Sequence, residues 1–472
     1  MLLCYCQGFH PVSHQPTFLL AFSLTLVVMV VLAFSGQKKI RDGVQFSLGG
    51  RQFGAWHVSG AITGTLVGGA STIGTAQLAF LYGLSAWWFT LGAGLACLFL
   101  GLFLAVPLRR AQLETIPQLI ERHYGPQARV AASLFSATGM FIQIVAQLLA
   151  CGAILAALFG LSLEVSALLA SLLVVTFAYG GMKGAGRLGL VKLFLIYLTM
   201  VVAGIMAYHH GGGWSGYRQF FANDPWFNLL GYGVQAGTSD LVSMLVGVIS
   251  TQTYLQAVFS ARNEITARSG ALLSAVLIPP LGLLGITVGL FMRRQFPEME
   301  SALALPQFIL QHFPAWFAGL SFATLLIAAV ATSAGLALGA ATTLRVDVIR
   351  GRLWPGLPDV AQRRLVILAL VCGAFGLLMA NMGSAIMQWS FLSMGLRGAT
   401  LFFPVLLAII LPQRDLHGAG KWSIYLAPSC VVAMGGVGGW LSPLYAGLSC
   451  SIAIFVVGLL MKQGRSSSGP SQ

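Results

Sequence analysis

The chain has 472 residues, of which 57% are hydrophobic and 8% charged, and its mean hydropathy is +0.84. A soluble globular domain carries roughly 25% charged residues, so composition excludes that class. The net charge of +14 would point to nucleic acid in a soluble protein. Here Lys and Arg instead gather in short loops on one side of the apolar segments, the asymmetry that membrane topology produces.

Apolar runs long enough to cross a ~30 Å hydrocarbon core recur along the chain. Strand-length alternation is absent, so a helix bundle is predicted, not a barrel. About thirteen spans are read, at 17–35, 57–82, 84–107, 127–159, 163–180, 188–208, 236–259, 267–292, 316–344, 364–382, 386–411, 422–440 and 443–461. Residues 1–16 are then an extracytoplasmic tail, 17–462 the membrane domain, and 463–472 a cytoplasmic tail. With the N-terminus outside, Lys38, Lys39, Arg41, Arg109, Arg110, Arg129, Lys183, Arg262, Arg345 and Lys462 all face the cytoplasm, whereas the other side keeps Arg218, Arg293 and Arg294. The first span lacks a positive leader and a cleavage site and is read as retained. The seven cysteines give no disulfide framework. Cys4 and Cys6 with His10 and His14 read either as a metal pair or as an unstructured tail.

Three spans are unusual. The second opens with Gly60-Ala-Ile-Thr-Gly64-Thr-Leu-Val-Gly68, small residues on one face that let backbones approach closely. It runs on into Gly68-Gly69-Ala70-Ser71-Thr72-Ile73-Gly74-Thr75, a poor continuous helix. Close packing is one reading; the other is a discontinuous helix whose freed carbonyls and half-helix ends bind ion and solute at the midplane. Span 236–259 carries the polar cluster Ser250-Thr251-Gln252-Thr253-Tyr254, which hydrocarbon would not tolerate facing lipid. Five spans from 57 to 208 and five from 236 to 411 each start with an interrupted helix and have a long third member, which predicts an inverted repeat. In Ala328-Ala-Val-Ala331-Thr332-Ser333, two hydroxyls offer oxygens to a hard cation. They equally well bond back to their own helix.

These segments together resemble the sodium:solute symporter family, of LeuT-type inverted-repeat fold. Thr115-Ile-Pro117-Gln-Leu-Ile-Glu121-Arg122-His-Tyr124-Gly125 is similar to the family's cytoplasmic TIPE-(x)3-RYG helix. Tyr179-Gly-Gly-Met-Lys183 resembles its Y-x-GG-L/M-K loop. Gln252–Gln256 with Ser260-Ala-Arg262, and Thr342-Thr343 with Asp347, match the ends of its sixth and eighth core helices. The resemblance implies a sodium ion as coupling ion and no other cofactor. Its ligands would be carbonyls at Ala70, Ile73 and Ala328, and side chains at Ala331, Thr332 and Ser333. Ala331 departs from the pattern, having no hydroxyl where the family commonly has Ser. Proton coupling, uncoupled transport and a transporter-like sensor stay open beside sodium symport.

Solute contacts are expected around the two broken helices, at Ser71, Thr72, Thr75 and Gln77 on the first and Ser250, Thr251, Gln252 and Tyr254 on the sixth. Arg397 lies about eleven residues into its apolar run. An arginine at that depth costs at least ~2.5 kcal/mol on insertion scales, so it should face water, a carboxylate or an anion. One reading is recognition of an anionic or zwitterionic solute, since its fork suits a carboxylate. The other is a fixed ion pair with Asp240. Glu264 and Asp347, near Arg262 and Arg345, read as interfacial ion pairs. No pairing of nucleophile and base lies inside the spans, so an enzyme is not expected. The predicted partners are a small solute, sodium and the bilayer, with no nucleic acid.

Overall fold

The computed structural model describes residues 15–34, 42–349, 353, 355–380, 386–414, 416–437 and 442–466. Cys4, Cys6, His10 and His14 lie outside them. The described chain is helical, apart from one isolated bridge between Phe53 and Ala261. Helices underlie all thirteen expected spans. Eight helical stretches are long and apolar enough to cross a membrane, and Val234–Ile249 with Gln252–Phe259, bent by 42°, form a further broken span.

In chain order the helices used below are α1 (Pro16–Phe34), α2 (Ala55–Leu66), α3 (Thr75–Tyr82), α4 (Trp88–Phe99), α5 (Ile116–Tyr124), α6 (Pro126–Phe159), α7 (Leu163–Ala178) and α8 (Gly181–His210). They continue as α9 (Val234–Ile249), α10 (Gln252–Phe259), α11 (Glu264–Leu277), α12 (Pro279–Gln295), α13 (Ala315–Thr343), α14 (Asp359–Ala380), α15 (Ile386–Ile410), α16 (His417–Val437) and α17 (Pro443–Ser466).

Packing sorts them into two groups. The broken helices α2/α3 and α9/α10 pack with α4, α11 and α12 as one bundle. The third and fourth helices of each half, α6, α7, α13 and α14, pack on one another as a second body. The fifth helices span the two groups: α8 touches α2, α12 and α13, while α15 touches α9 and α6. Among the membrane-length helices α13 is the most enclosed, with its most apolar stretch buried throughout. Its runs of Ala and Gly leave little side-chain volume between backbones, as close helix packing in lipid requires.

The first break has a local cause. Helical bonding in α2 ends at Val67, whose N–H donates to the Thr63 carbonyl at 2.7 Å while its own ψ turns to 95°. Gly68 and Gly69 are poor helix formers, and the chain resumes through a π-helical turn, Ala70–Gly74. The Gly69 N–H donates instead to Gln147 Oε1 on α6 at 3.0 Å. The second break falls at Ser250 and Thr251, where Thr251 is extended and precedes α10.

Candidate functional site

A helix end leaves its last carbonyls without intrahelical partners. At the end of α2 the Gly64 carbonyl accepts from Lys192 Nζ at 2.6 Å. The same ammonium donates to the Ala328 carbonyl at 2.8 Å and to Thr332 Oγ1 at 3.2 Å, both on α13. Lys192 is wholly buried. Its three N–H donors therefore have three oxygen acceptors, all uncharged. Glycines bring the helices close enough for this. A Cβ on Gly64 would stand 2.6 Å from Gly189 Cα, and one on Gly189 would stand 2.1 Å from the Gly60 carbonyl oxygen. The small-residue stripe of the second span is thus the face against which α8 packs.

Of the expected cation ligands, Ala328 and Thr332 meet here. The first-helix carbonyl that joins them is Gly64's, while Ala70 and Ile73 lie in the π-helical turn beyond the break. The physical reason is polarity: free carbonyls belong to the end of a half-helix, ahead of the break, and not to the start of the next. Ala331 brings no oxygen. It lines a narrow cleft with Gly64, Thr65 and Gly335. Ser333 Oγ is buried without a hydrogen-bond partner among the described residues and is not on the ammonium. Lys192 was not among the expected site residues. Its signal was present, because a lysine inside an apolar span invites the same question as Arg397.

Arg397, on α15, is wholly buried as well. Nη1 donates to Thr251 Oγ1 at 2.8 Å, Nη2 to Ser393 Oγ at 2.8 Å, and Nε to the Ser393 carbonyl at 3.0 Å. Gly139 on α6 leaves room for its stem, since a Cβ there would stand 2.5 Å from Arg397 Cγ. No carboxylate pairs with it among the described residues. Asp240 instead accepts from the Tyr232 hydroxyl, so the expected Arg397–Asp240 pair does not form. The guanidinium sits at the second break, held only by neutral groups.

The remaining candidates divide. Ser71 and Thr72 donate to the Gly68 carbonyl at 2.9 and 3.0 Å, and Thr75 to the Ala70 carbonyl at 3.4 Å, so their hydroxyls complete the first break. The turn that holds Ser71 and Thr72 packs against α15. Gln77 Oε1 and Ser250 Oγ are buried without hydrogen-bond partners among the described residues. Tyr254 is buried. Gln252 turns away: its amide accepts from the Ile116 N–H and donates to the Glu114 carbonyl, both at 2.9 Å, tying the second break to α5. A cavity of about 570 Å³ lies between α16 and α17 and includes none of these residues.

Around α5 the basic end is closed by ion pairs. Asp347 pairs with Arg129 at 2.7 Å, and Arg129 also with Glu121. Arg363 pairs with Glu114 and with Asp359, each at 2.8 Å. Glu264 pairs with Arg110 at 2.9 Å on the surface. Glu264 and Asp347 form ion pairs as expected, but with Arg110 and Arg129 rather than the neighbouring Arg262 and Arg345.

Two discontinuous helices crossing between a bundle and a scaffold, joined by the fifth helix of each half, are the outline of a LeuT-type transporter. The sodium:solute symporter family matches residues 46–424. The chain belongs to the sodium:solute symporter family. This family member overlays on a Na+-coupled sialic acid symporter, in its substrate-bound outward-open state, with a TM-score of 0.80 over 94% of this chain and 96% of that one, at 18% identity. That likeness shows the fold. A monocarboxylate transport permease protein of Rhizobium johnstonii is 26% identical over 377 residues, covering 74% of each chain. The human high affinity choline transporter 1 is 23% identical over 236 residues, 48% of this chain and 40% of that one.

For this symporter-family chain the implied sodium ion can be tested against the residues. Three neutral oxygens converge from α2 and α13, as a monovalent cation requires. Their common centre, however, is the Lys192 ammonium. A second unit charge about 4 Å from it would be repelled by about 4 kcal/mol at an effective dielectric of 20. Ala331 supplies no further ligand. The residues present do not fit a sodium ion at this point.

Proposed function

We propose that this chain is a secondary transporter that carries a small organic carboxylate across the membrane by alternating access. Arg397 carries the reading. A buried guanidinium without a carboxylate partner, beside a helix break, is poised to exchange hydroxyl partners for a bidentate carboxylate. Thr251 already accepts from it, Ser250 and Tyr254 lie on the same break, and the turn that carries Ser71 and Thr72 packs against its helix; Thr75 and Gln77 follow on the first broken helix. The resemblance to a monocarboxylate permease supports an acid as solute. A quaternary ammonium like that of the choline relative would meet two buried cations, Arg397 and Lys192.

The positive-inside asymmetry supports an outside N-terminus, a cytoplasmic C-terminus and a cytoplasmic position for the ion-paired end. Residues 57–208 and 236–411 are then the two inverted repeats. The ion pairs around Asp347 and Arg363 close the inner face, and release of solute to the cytoplasm requires their opening.

Uptake of radiolabelled pyruvate into proteoliposomes tests this, with acetate, lactate, alanine and choline as competitors. Carboxylates should compete and choline should not. Arg397→Gln should raise KM about tenfold or more, the loss of one charge-assisted contact. An unchanged KM in that variant, or choline as the best competitor, would sink the proposal.

A further inference from the structure

We infer that Lys192 is the resident cation of this transporter: its ammonium takes the Ala328 carbonyl and the Thr332 hydroxyl, two of the oxygens that the family resemblance assigns to sodium, and the chain binds no sodium between them. The inference rests on the transporter reading above but not on which solute is carried. Three observations support it independently of one another. The pocket is complete around nitrogen, with the Gly64 and Ala328 carbonyls and the Thr332 hydroxyl at 2.6, 2.8 and 3.2 Å. The backbone is built for the reach, since Gly64 and Gly189 allow an approach that a Cβ on either would block. And position 331 is alanine, so the oxygen that a metal would need, and that an ammonium with three donors would not, is missing.

The surroundings agree. Among the described residues no carboxylate pairs with Lys192; α2 presents backbone to it, and α13 presents backbone and a hydroxyl. A sodium ion in such a pocket would join the end of α2 to α13 while bound and free them on leaving. The tethered ammonium makes the same join from α8, so bundle and scaffold are held together by a side chain that neither arrives nor departs.

The test needs only the purified full-length protein and sodium. Thermal unfolding would be followed in sodium chloride and in choline chloride for wild type, Lys192→Ala, Lys192→Met and the double variant Lys192→Ala/Thr332→Ala. Wild type should unfold at the same temperature in both salts. Lys192→Ala, which empties the pocket but keeps its oxygens, should gain a saturable, sodium-specific rise in Tm of about 2–4 °C. Lys192→Met, which keeps the bulk, should gain less, and the double variant should lose the response. A sodium-specific rise in wild type as large as that of Lys192→Ala would overturn the inference, as would a folded Lys192→Ala indifferent to sodium. Should the lysine variants not fold, saturable binding of radiolabelled sodium to wild type that Thr332→Ala removes would overturn it, and its absence would support it. No solute is present, so failure of the carboxylate reading would leave these outcomes unchanged.

Discussion

Lys192 Nζ and the Ala328 carbonyl oxygen are 136 positions apart in sequence and 2.8 Å apart in space. The contact joins α8 to the most enclosed helix of the fold. It depends on a third helix, because α2 must end beside both and must lie close enough for its Gly64 carbonyl to complete the set.

That closeness predicts the effect of a single methyl group. Gly64→Ala would put a Cβ 2.6 Å from Gly189 Cα, a backbone atom that cannot rotate aside. The helices must separate, and overpacking of this kind costs about 1–3 kcal/mol. Gly376→Ala, whose Cβ would meet nothing within 4 Å, should be nearly neutral. Parallel melting curves of the two variants in detergent check this; equal Tm values would show that the approach is not as tight as described.

At the second break, neighbouring residues should separate in their effects. Thr251 Oγ1 accepts from Arg397, whereas Gln252 spans Ile116 and Glu114. Thr251→Val leaves a guanidinium N–H unpaired and should lower both stability and apparent solute affinity, with Thr251→Ser restoring them. Gln252→Leu should cost about 1–3 kcal/mol of stability through its buried, unpaired backbone partners and leave KM unchanged. KM and Tm measured together decide; a raised KM in Gln252→Leu at unchanged Tm would return Gln252 to the solute site.

The ion pairs at the basic end differ in worth because they differ in burial. Asp347 is fully buried and Arg129 nearly so, whereas the Arg110 and Glu264 side chains are 68% and 39% exposed. Asp347→Ala leaves Arg129 paired with Glu121 alone and the Thr115 hydroxyl without its acceptor, and should cost about 1–3 kcal/mol. Glu264→Ala should cost less than about 1 kcal/mol, and that loss should shrink in high salt. Comparable losses from the two would contradict the burial argument.

The spans were readable because apolar length is a one-dimensional property, and both breaks were readable because Gly, Ser and Thr cluster where a lipid-facing helix would not hold them. Arg397 was readable from its depth alone, but its partners were not: Asp240 was the only acid of similar depth in the sequence, while the fold offered the hydroxyls of Thr251 and Ser393. Lys192 escaped for a related reason. With the span taken from 188, it sits near an interface among basic loop residues. The helix in fact begins at Gly181, which places Lys192 about 16 Å along its axis. The Gly64 carbonyl was not foreseen, since glycine content marks a break without telling which carbonyls beside it turn to a neighbouring helix.

A cation fixed to the chain by four methylene groups returns with the empty carrier. A bound sodium ion is released inside and adds one positive charge to each inward cycle; Lys192 adds none. If the solute is a monoanion and no other ion travels with it, uptake would move net negative charge inward, against about 2.3 kcal/mol for every 100 mV of inside-negative potential. On that reading the contact between Lys192 and Ala328 would set the current the membrane carries during transport, and the direction in which voltage drives the solute.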